Sequence, residues 1–538
     1  VGLRVFSQVG RVNAYGLLEC DSVDVESLPY GVYDLPSFGC VTTCFGCGDE
    51  TNLDPGHRLI SRAKLCCDER EVGATIVSPV CRLPWVCRKC SHNLHNALCN
   101  RHGVRQPPVT YDFAPAHRAI EALLPRVMME YGSQFVHWQH EWISKWPRCK
   151  RALIERSVRD DPLMPNVVLC MVKREHAHKR PRPRNIQYYY NLHTQAYLGP
   201  EFYSLQKAWG QVLSMEEECV VDSIWLTAAS GMTSVGLGEW MTRVHTRFAN
   251  PRFYESDGKN WDSCMSSEHF ALRRLAYSRM PLEFRNFVER GIKVRGVART
   301  KTSRMVYSLN GTNKSGHNDT YLFNVIVNLM IAFLACRAIG LRAAIIALGD
   351  DKVIAVDGDF DGAQIAAIER SCGIVPVWRQ FASWRDVSFI SGCWWRNRGG
   401  FVFTPKPGRL LARLWSTTTP PRPSELDSYL GGVAAGLAPT CLGLPVVRAL
   451  IRGHLSKNAG WNDKKYGYMC NVGVVWDESI LEQFAERYGV TAEAVLSLER
   501  TLDALSGVQC LLVEPTAEAI MAVDLADPTE RPTHPNSQ

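Results

Sequence analysis

The chain has 538 residues, 46% of them hydrophobic and 21% charged, with 61 Lys and Arg against 54 Asp and Glu, a formal net charge of +7. That composition excludes a wholly disordered polymer, and the length suggests roughly two to four domains. The basic surplus suits a channel for phosphate, but many unrelated enzymes share it, so charge alone excludes little.

The chain opens on Val1, as a processed product or a piece of a longer reading frame would. Polar and charged residues interrupt its first thirty positions, so no signal peptide is read there. Residues 1–36 read as a short β-rich lead-in. Residues 37–105 are cysteine-rich: ten of the 20 cysteines precede residue 100. Such clustering means disulfides or metal, and the CxxC pairs favour zinc. The candidate ligands are Cys40, Cys44, Cys47, Cys66, Cys67, Cys81, Cys87, Cys90, Cys99 and His102, with His92 and His95 as further contenders. Cys44-x2-Cys47, Cys87-x2-Cys90 and Cys99-x2-His102 have knuckle spacing. With Cys40 and Cys81 set aside as spare, the remaining eight would build two tetrahedral sites, and one or two Zn2+ are expected.

Pro107-Pro108 marks a hinge, and 109–165 reads as helical, with Trp138, Trp142 and Trp146 recurring at helical spacing. Lys173 to Arg184 then packs six Lys and Arg into twelve positions, and Pro181 and Pro183 forbid a regular helix there. An extended basic segment is shaped to lie against a triphosphate, although a solvated or targeting patch has the same composition.

Three segments carry the chemistry. In Phe253-Tyr-Glu-Ser-Asp257-Gly-Lys-Asn-Trp-Asp262 a strand-like opening delivers Asp257, and Asp262 follows five residues later, past a turn. In Ser315-Gly316-His-Asn-Asp-Thr320-Tyr-Leu-Phe-Asn324 a Gly-rich loop enters a helix on which Thr320, Asn324 and Asn328 share one face. Buried amides need partners, and a ribose 2′-hydroxyl is one. Bonding to the protein itself, with Asn318 as helix cap, is the other reading. In Arg342 to Val356 two apolar β-prone runs flank Gly349-Asp350-Asp351, a turn that places two acids at the tip of a buried hairpin. Adjacent carboxylates repel, and a divalent cation is the natural counter-charge. Asp257 beside that tip would complete a site for two Mg2+ or Mn2+, whereas Asp262 would reach a ribose hydroxyl. Taken singly, the hairpin reads equally well as a solvated turn. Tyr321 to Cys336 is read as a buried helix, not a membrane span, because Asn324 and Asn328 interrupt it. Asp357 to Gly362 begins like a calcium loop, but the twelfth position is Ile368 and Glu369 comes one residue late, so it is read as a polar turn entering a helix. Residues 410–510 read as mostly helical, and 514–538 as a loose tail rich in Pro, Thr and Asp.

Asp257-x4-Asp262, then Ser315-Gly316-x3-Thr320-x3-Asn324, then Gly349-Asp350-Asp351 resembles motifs A, B and C of viral RNA-dependent RNA polymerases, in that family's order and with a flavour similar to its nodavirus- and tombusvirus-like groups. The resemblance covers about residues 170–415. It implies an α+β right-hand fold of fingers, palm and thumb, here with an N-terminal cysteine-rich zinc-binding module. The expected boundaries are a lead-in at 1–36, the zinc module at 37–105, fingers at 106–250, palm with finger elements at 251–408, thumb at 409–513 and a flexible tail at 514–538. The resemblance gives Asp257, Asp350 and Asp351 the catalytic metals. It gives Asp262, Ser315, Gly316, Thr320 and Asn324 the ribonucleotide. The basic stretch is similar to motif F, with Lys173, Lys179, Arg182 and Arg184 on phosphates, and Phe389 to Leu410 looks like motif E. Where the family often has a general-acid lysine, Cys372 to Gln380 has none and Arg379 is the nearest cation. The implied partners are RNA template, nascent RNA and NTPs, with other viral replication proteins and host membranes. The implied setting is membrane-associated replication complexes in the host cytoplasm, with no transmembrane segment in the chain. Two rivals stand beside this reading. A reverse transcriptase shares the chemistry, but there an aromatic residue typically stands where Leu348 does. A non-catalytic zinc and RNA-binding protein on a polymerase-like palm is the other.

Overall fold

The computed structural model describes residues 107–177, 183–299, 304–414, 422–455, 476–505 and 510–526, preceded by 85–87, 89–102, 104 and a few short strands. Helix α1 (Ser91–His102) is followed by α2 (Ala114–Ser144) and α3 (Arg148–Asp160). The tryptophan spacing is helical as expected: Trp138 and Trp142 are buried, and Trp146 meets Trp142 edge-on. Strands β1 (Val167–Val172) and β2 (Asn185–Tyr189) pair antiparallel, with Asn185 opposite Val172, so the basic stretch runs between two strands and not through a helix. Then come α4 (Leu192–Val212), whose first turn is capped by Asn191 on the Thr194 amide, β3 (Ile224–Ala228) and α5 (Ser234–Arg247).

β4 (Pro251–Gly258), the short α6 (Trp261–Cys264) and α7 (Ser267–Ala276) lead to a hairpin of β5 (Lys293–Arg299) and β6 (Arg304–Asn310), which joins β1 and β2 in a separate sheet. Next come α8 (Thr320–Ile339), β7 (Ala343–Leu348), β8 (Asp351–Asp357), α9 (Gly362–Ser371) and β9 (Pro376–Phe381). The central sheet runs β3-β7-β8-β4-β9, with β3 parallel to β7 and the other pairs antiparallel.

Period-two alternation gives this sheet two dry faces. Ile345, Ala347, Ile354 and Val356 pack in the core that holds α8, while Ala344, Ile346, Val353 and Ala355 pack against Phe253, Trp240 and Trp394. Each large aliphatic side chain so buried contributes roughly 1.5–3 kcal/mol. Because β7 and β8 are covered on both sides, the turn joining them is presented at the end of a rigid unit. Helix α8 is apolar all round and long enough to cross a bilayer by length and composition, but 83% of its most apolar window is buried among neighbouring elements. It stops at Gly340, in the left-handed region at φ +72, where the Gly340 and Leu341 amides donate to Arg337 and Cys336 carbonyls. The polar turn after β8 enters α9 as expected, with Asp361 capping the Ala363 amide.

A hairpin of β10 (Gly392–Asn397) and β11 (Gly400–Pro405) links this unit to the C-terminal helices. Trp394 points to the sheet core and donates to the Leu237 carbonyl. Its neighbour Trp395 points to the helical core and donates to Thr404 Oγ1. The helices are α10 (Pro407–Arg413), α11 (Leu426–Cys441), α12 (Val447–Leu455), α13 (Ser479–Tyr488), α14 (Ala492–Ala504) and α15 (Pro515–Leu525). The last corrects the expected tail from Glu514. Glu514 caps the Ala517 amide, Ile520 and Met521 are buried, and Asp524 accepts from the Gly408 amide and the Tyr488 hydroxyl. The architecture is mixed α and β, in keeping with the expected class. Most of 37–86, with Cys44, Cys47, Cys66 and Cys67, lies outside the described residues, as do Lys179, Arg182 and 527–538.

Candidate active site

The acids meet because two neighbouring strands end together. β7 and β8 are joined by Gly349 and Asp350 alone, Leu348 pairing with Asp351, and Gly349 sits at φ +63, where only glycine is unstrained. β4 runs antiparallel to β8, with Ser256 opposite Lys352, so Asp257 and Asp351 stand at the same end of the sheet. Asp257 is exposed, and Asp350 and Asp351 are half-buried beside it. Loss of hydration, then the charge of Asp350, pushes the Asp257 carboxyl up to about 6. Burial, then Asp350, Asp257 and Glu255, pushes Asp351 up to about 7.

Beneath the tip lies a buried polar network. Asn328 Nδ2 donates to the carbonyls of Gly349 (3.2 Å) and Asp351 (3.3 Å), and its Oδ1 accepts from Lys352 Nζ at 2.9 Å. Lys352 Nζ also pairs with Glu369 Oε1 at 2.8 Å, and Glu369 accepts from Tyr254 and Ser256 on β4. Turn, helix α8 and both acid-bearing strands are thereby locked together.

Asp262 returns to the same place. After Gly258 the chain reverses through Asn260, in the left-handed region at φ +56, into α6, and the Asp262 carbonyl accepts from the Asn313 amide at 2.7 Å. Asn324 Oδ1 accepts from Trp261 Nε1 (3.0 Å) and Asn313 Nδ2 (2.7 Å). Its own Nδ2 has no acceptor among the described residues, so it is the amide of the stripe left open to a ligand. The remaining polar groups of the stripe are taken: Thr320 Oγ1 donates to the Lys314 and His317 carbonyls, and Asn328 serves the turn. Asn318 does not cap α8; its amide donates to the Gln195 carbonyl. Ser315 and Gly316 lie against β2, with the Gln187 amide donating to the Ser315 carbonyl at 2.6 Å. Gly316 has φ +108, and a Cβ there would stand 2.8 Å from the Gln187 carbonyl oxygen and 2.6 Å from Ile186 Cγ2. Gly316→Ala is therefore expected to cost about 1–3 kcal/mol by urea unfolding, through both strain and displacement of β2.

A sequence model of the viral RNA-dependent RNA polymerase family matches residues 150–370. Those are the residues that supply every acid and amide just described. Residues 150–370 are a viral RNA-dependent RNA polymerase domain. The chain is also similar to the RNA-directed RNA polymerase of Pothos latent virus (isolate Pigeonpea/India), 27% identical over 184 residues, which are 32% of this chain and 23% of that protein. The alignment thus spans about a quarter of that relative's length.

Within the polymerase domain, of the four basic residues expected on phosphates, the two that are described share one acid: Lys173 and Arg184 pair with Glu175 at 2.5 and 3.4 Å. The positive charge of Arg184 still reaches Asp257 and Asp262. N-terminal to the domain, Cys87, Cys90, Cys99 and His102 are buried. His102 Nε2 accepts from Gln187 Nε2 (2.7 Å) and Asn185 Nδ2 (3.2 Å), while Cys99 Sγ lies 3.7 Å from His95 Nδ1. Among the described residues no three His, Cys, Asp or Glu side chains gather tightly enough to hold a metal ion. The polymerase acids nonetheless suit one chemically: their donors are hard oxygens, and mutual repulsion leaves them short of positive charge.

Sequence reasoning gave no role at this site to Arg101, Lys352, Glu369 or Asn313. Lys352 was legible in principle, as the one cation of a strand whose next four residues are apolar, and Glu369 as an acid on a helix whose other inward side chains are Ile365 and Ala366.

A pH dependence follows. Asp257, Asp262 and Asp351 hold their protons more tightly in the fold than in the unfolded chain, where such groups titrate near 4. Their contribution to stability is full below about pH 4 and is lost as pH rises through 6 to 7. In chelator, the urea midpoint of Asp351→Asn is expected to match wild type near pH 4 and exceed it at pH 8, by on the order of 1 kcal/mol. An equal gap at both pH values would refute this.

Proposed function

We propose that the chain is an RNA-dependent RNA polymerase, copying an RNA template by moving a nucleotidyl group from an NTP to the 3′ hydroxyl of the growing strand. The observation that carries this reading is the convergence of Asp257, Asp350 and Asp351 at adjoining strand ends, with Asp262 and the open amide of Asn324 beside them. Mg2+ or Mn2+ held by the three acids would supply activation of the 3′ hydroxyl and charge neutralisation at the leaving pyrophosphate. The protein's own part is placement. The network under the tip fixes the acids, Asp262 and Asn324 recognise the ribose hydroxyls, Gly316 lets the loop lie flat on β2, and Lys173 and Arg184 face the phosphates. In this reading β4 to β11 form the palm with finger elements between its strands. Fingers take up 106–250, and the C-terminal helices from 409 form a thumb that continues through α15. The cysteine-rich segment 37–105 is proposed to bind one or two zinc ions, which elemental analysis of the purified chain tests. Replication of a viral genome in membrane-associated complexes, with other viral proteins, belongs to the same proposal.

Primer extension on an RNA template, with NTPs or dNTPs and Mg2+ or Mn2+, decides it. Incorporation of NTPs well above dNTPs is expected. A preference for dNTPs would make the chain a reverse transcriptase, and RNA binding without any synthesis would leave a non-catalytic binder.

A further inference from the structure

We infer that Arg101, carried by a helix N-terminal to the matched domain, is a positioning residue for the sugar of the incoming nucleotide, acting through Asp262. Helix α1 packs on α6, β1 and β2, and His102 fixes its last turn to the Gln187 and Asn185 amides. That anchorage brings Arg101 Nη1 to 4.0 Å from Asp262 Oδ2, the two side chains 24% and 9% exposed. At that separation the charges attract without forming a hydrogen bond, and among the described residues the guanidinium has no hydrogen-bond acceptor. After burial and the neighbouring charge of Arg184, Arg101 also feels Asp262, Asp350 and Asp257.

Asp262 needs such a partner. It is nearly buried and is repelled by Asp350, and the largest opposing influence on it is Arg101. Arg184 is a poorer candidate, since its side chain is 48% exposed and paired with Glu175. Lys314 is turned elsewhere, with Nζ donating to the Ile292 and Gly311 carbonyls at 2.8 and 2.6 Å. A guanidinium at this reach holds the Asp262 carboxylate where it can accept from a ribose hydroxyl beside the Asn324 amide. A deoxyribose lacking that hydroxyl leaves the pair unanswered. This rests on the nucleotidyl-transfer reading above.

The test is single-nucleotide extension by the full chain, comparing wild type, Arg101→Gln, Arg101→Lys, Asp262→Asn and Arg101→Gln with Asp262→Asn. Arg101→Gln is expected to lower the preference for NTP over dNTP about ten-fold, through KM for the NTP, with kcat nearly unchanged. Arg101→Lys, which keeps the charge and loses the planar fork, is expected to recover part of the preference. On the Asp262→Asn background, removing Arg101 should change the preference no further. An equal rise in KM for NTP and dNTP would overturn the inference in favour of a direct grip on phosphate, and an unchanged preference would overturn it outright. If Arg101→Gln fails to fold, Arg101→Lys is read by the same two criteria. A wild-type chain that incorporates neither substrate overturns the polymerase reading and this inference with it. An active wild type with indifferent Arg101 variants overturns the role of Arg101 alone.

Discussion

Asp350→Asn should reduce nucleotide incorporation by about a thousand-fold or more, while the chain folds and binds RNA as before. Asp350 is one of the two residues of the β7–β8 turn, and its charge raises the proton affinity of both Asp257 and Asp351. It is therefore the acid shared by the other two, and an amide in its place keeps the shape of the turn while removing a charge that would help to hold a cation there. The backbone should tolerate the change, because Asn328 holds the turn through the carbonyls of Gly349 and Asp351 and not through the Asp350 side chain. In chelator the variant should melt at or slightly above the wild-type temperature, since one of three crowded charges has gone. Mg2+ or Mn2+ should raise the melting temperature of wild type and not of the variant. Incorporation within ten-fold of wild type would remove the acids from the reaction.

Much of this was readable from one sequence, for a physical reason. Strand ends, tight turns and a helix face are local consequences of residue order, so Asp257, the Gly349–Asp350 turn and the Thr320, Asn324, Asn328 stripe could each be placed on an element. What lies opposite a face is not local. The stripe offered three groups to a ribose, yet Thr320 is used by the carbonyls of its own loop and Asn328 by the turn, which leaves Asn324. Arg101 was beyond reach because it lies about 160 residues before Asp262 in the chain, in a segment whose cysteines drew all the inference toward zinc. The C-terminal end was misjudged on composition. The Pro, Thr and Asp content of 514–538 read as a loose tail, whereas a proline in the first helical turn behind a capping acid is a start signal, and the face of Ala517, Ile520 and Met521 then packs inward. Glu369 was weighed only as a displaced calcium ligand, since its partner Lys352 shares no local pattern with it.

That pair sets the other large expectation. Glu369→Ala should destabilise the chain by about 3–5 kcal/mol, seen as a lower urea midpoint. The Lys352 and Glu369 side chains are 1% and 0% exposed, so removing the carboxylate leaves an ammonium in a dry interior with Asn328 Oδ1 as its remaining partner among the described residues. The loss reaches further than one ion pair, because the Tyr254 and Ser256 hydroxyls on β4 also donate to Glu369. Replacing both partners separates stability from positioning. Lys352→Met with Glu369→Leu fills similar volume without a buried charge and should recover most of the lost stability. It cannot restore the contact on Asn328 Oδ1. With that amide free to rotate, the turn bearing Asp350 loses its anchor, and RNA synthesis should stay about ten-fold below wild type in a chain that melts normally. Full activity in the doubly substituted chain would mean that the network serves the fold alone, and a loss below about 1 kcal/mol in Glu369→Ala would mean that water reaches Lys352.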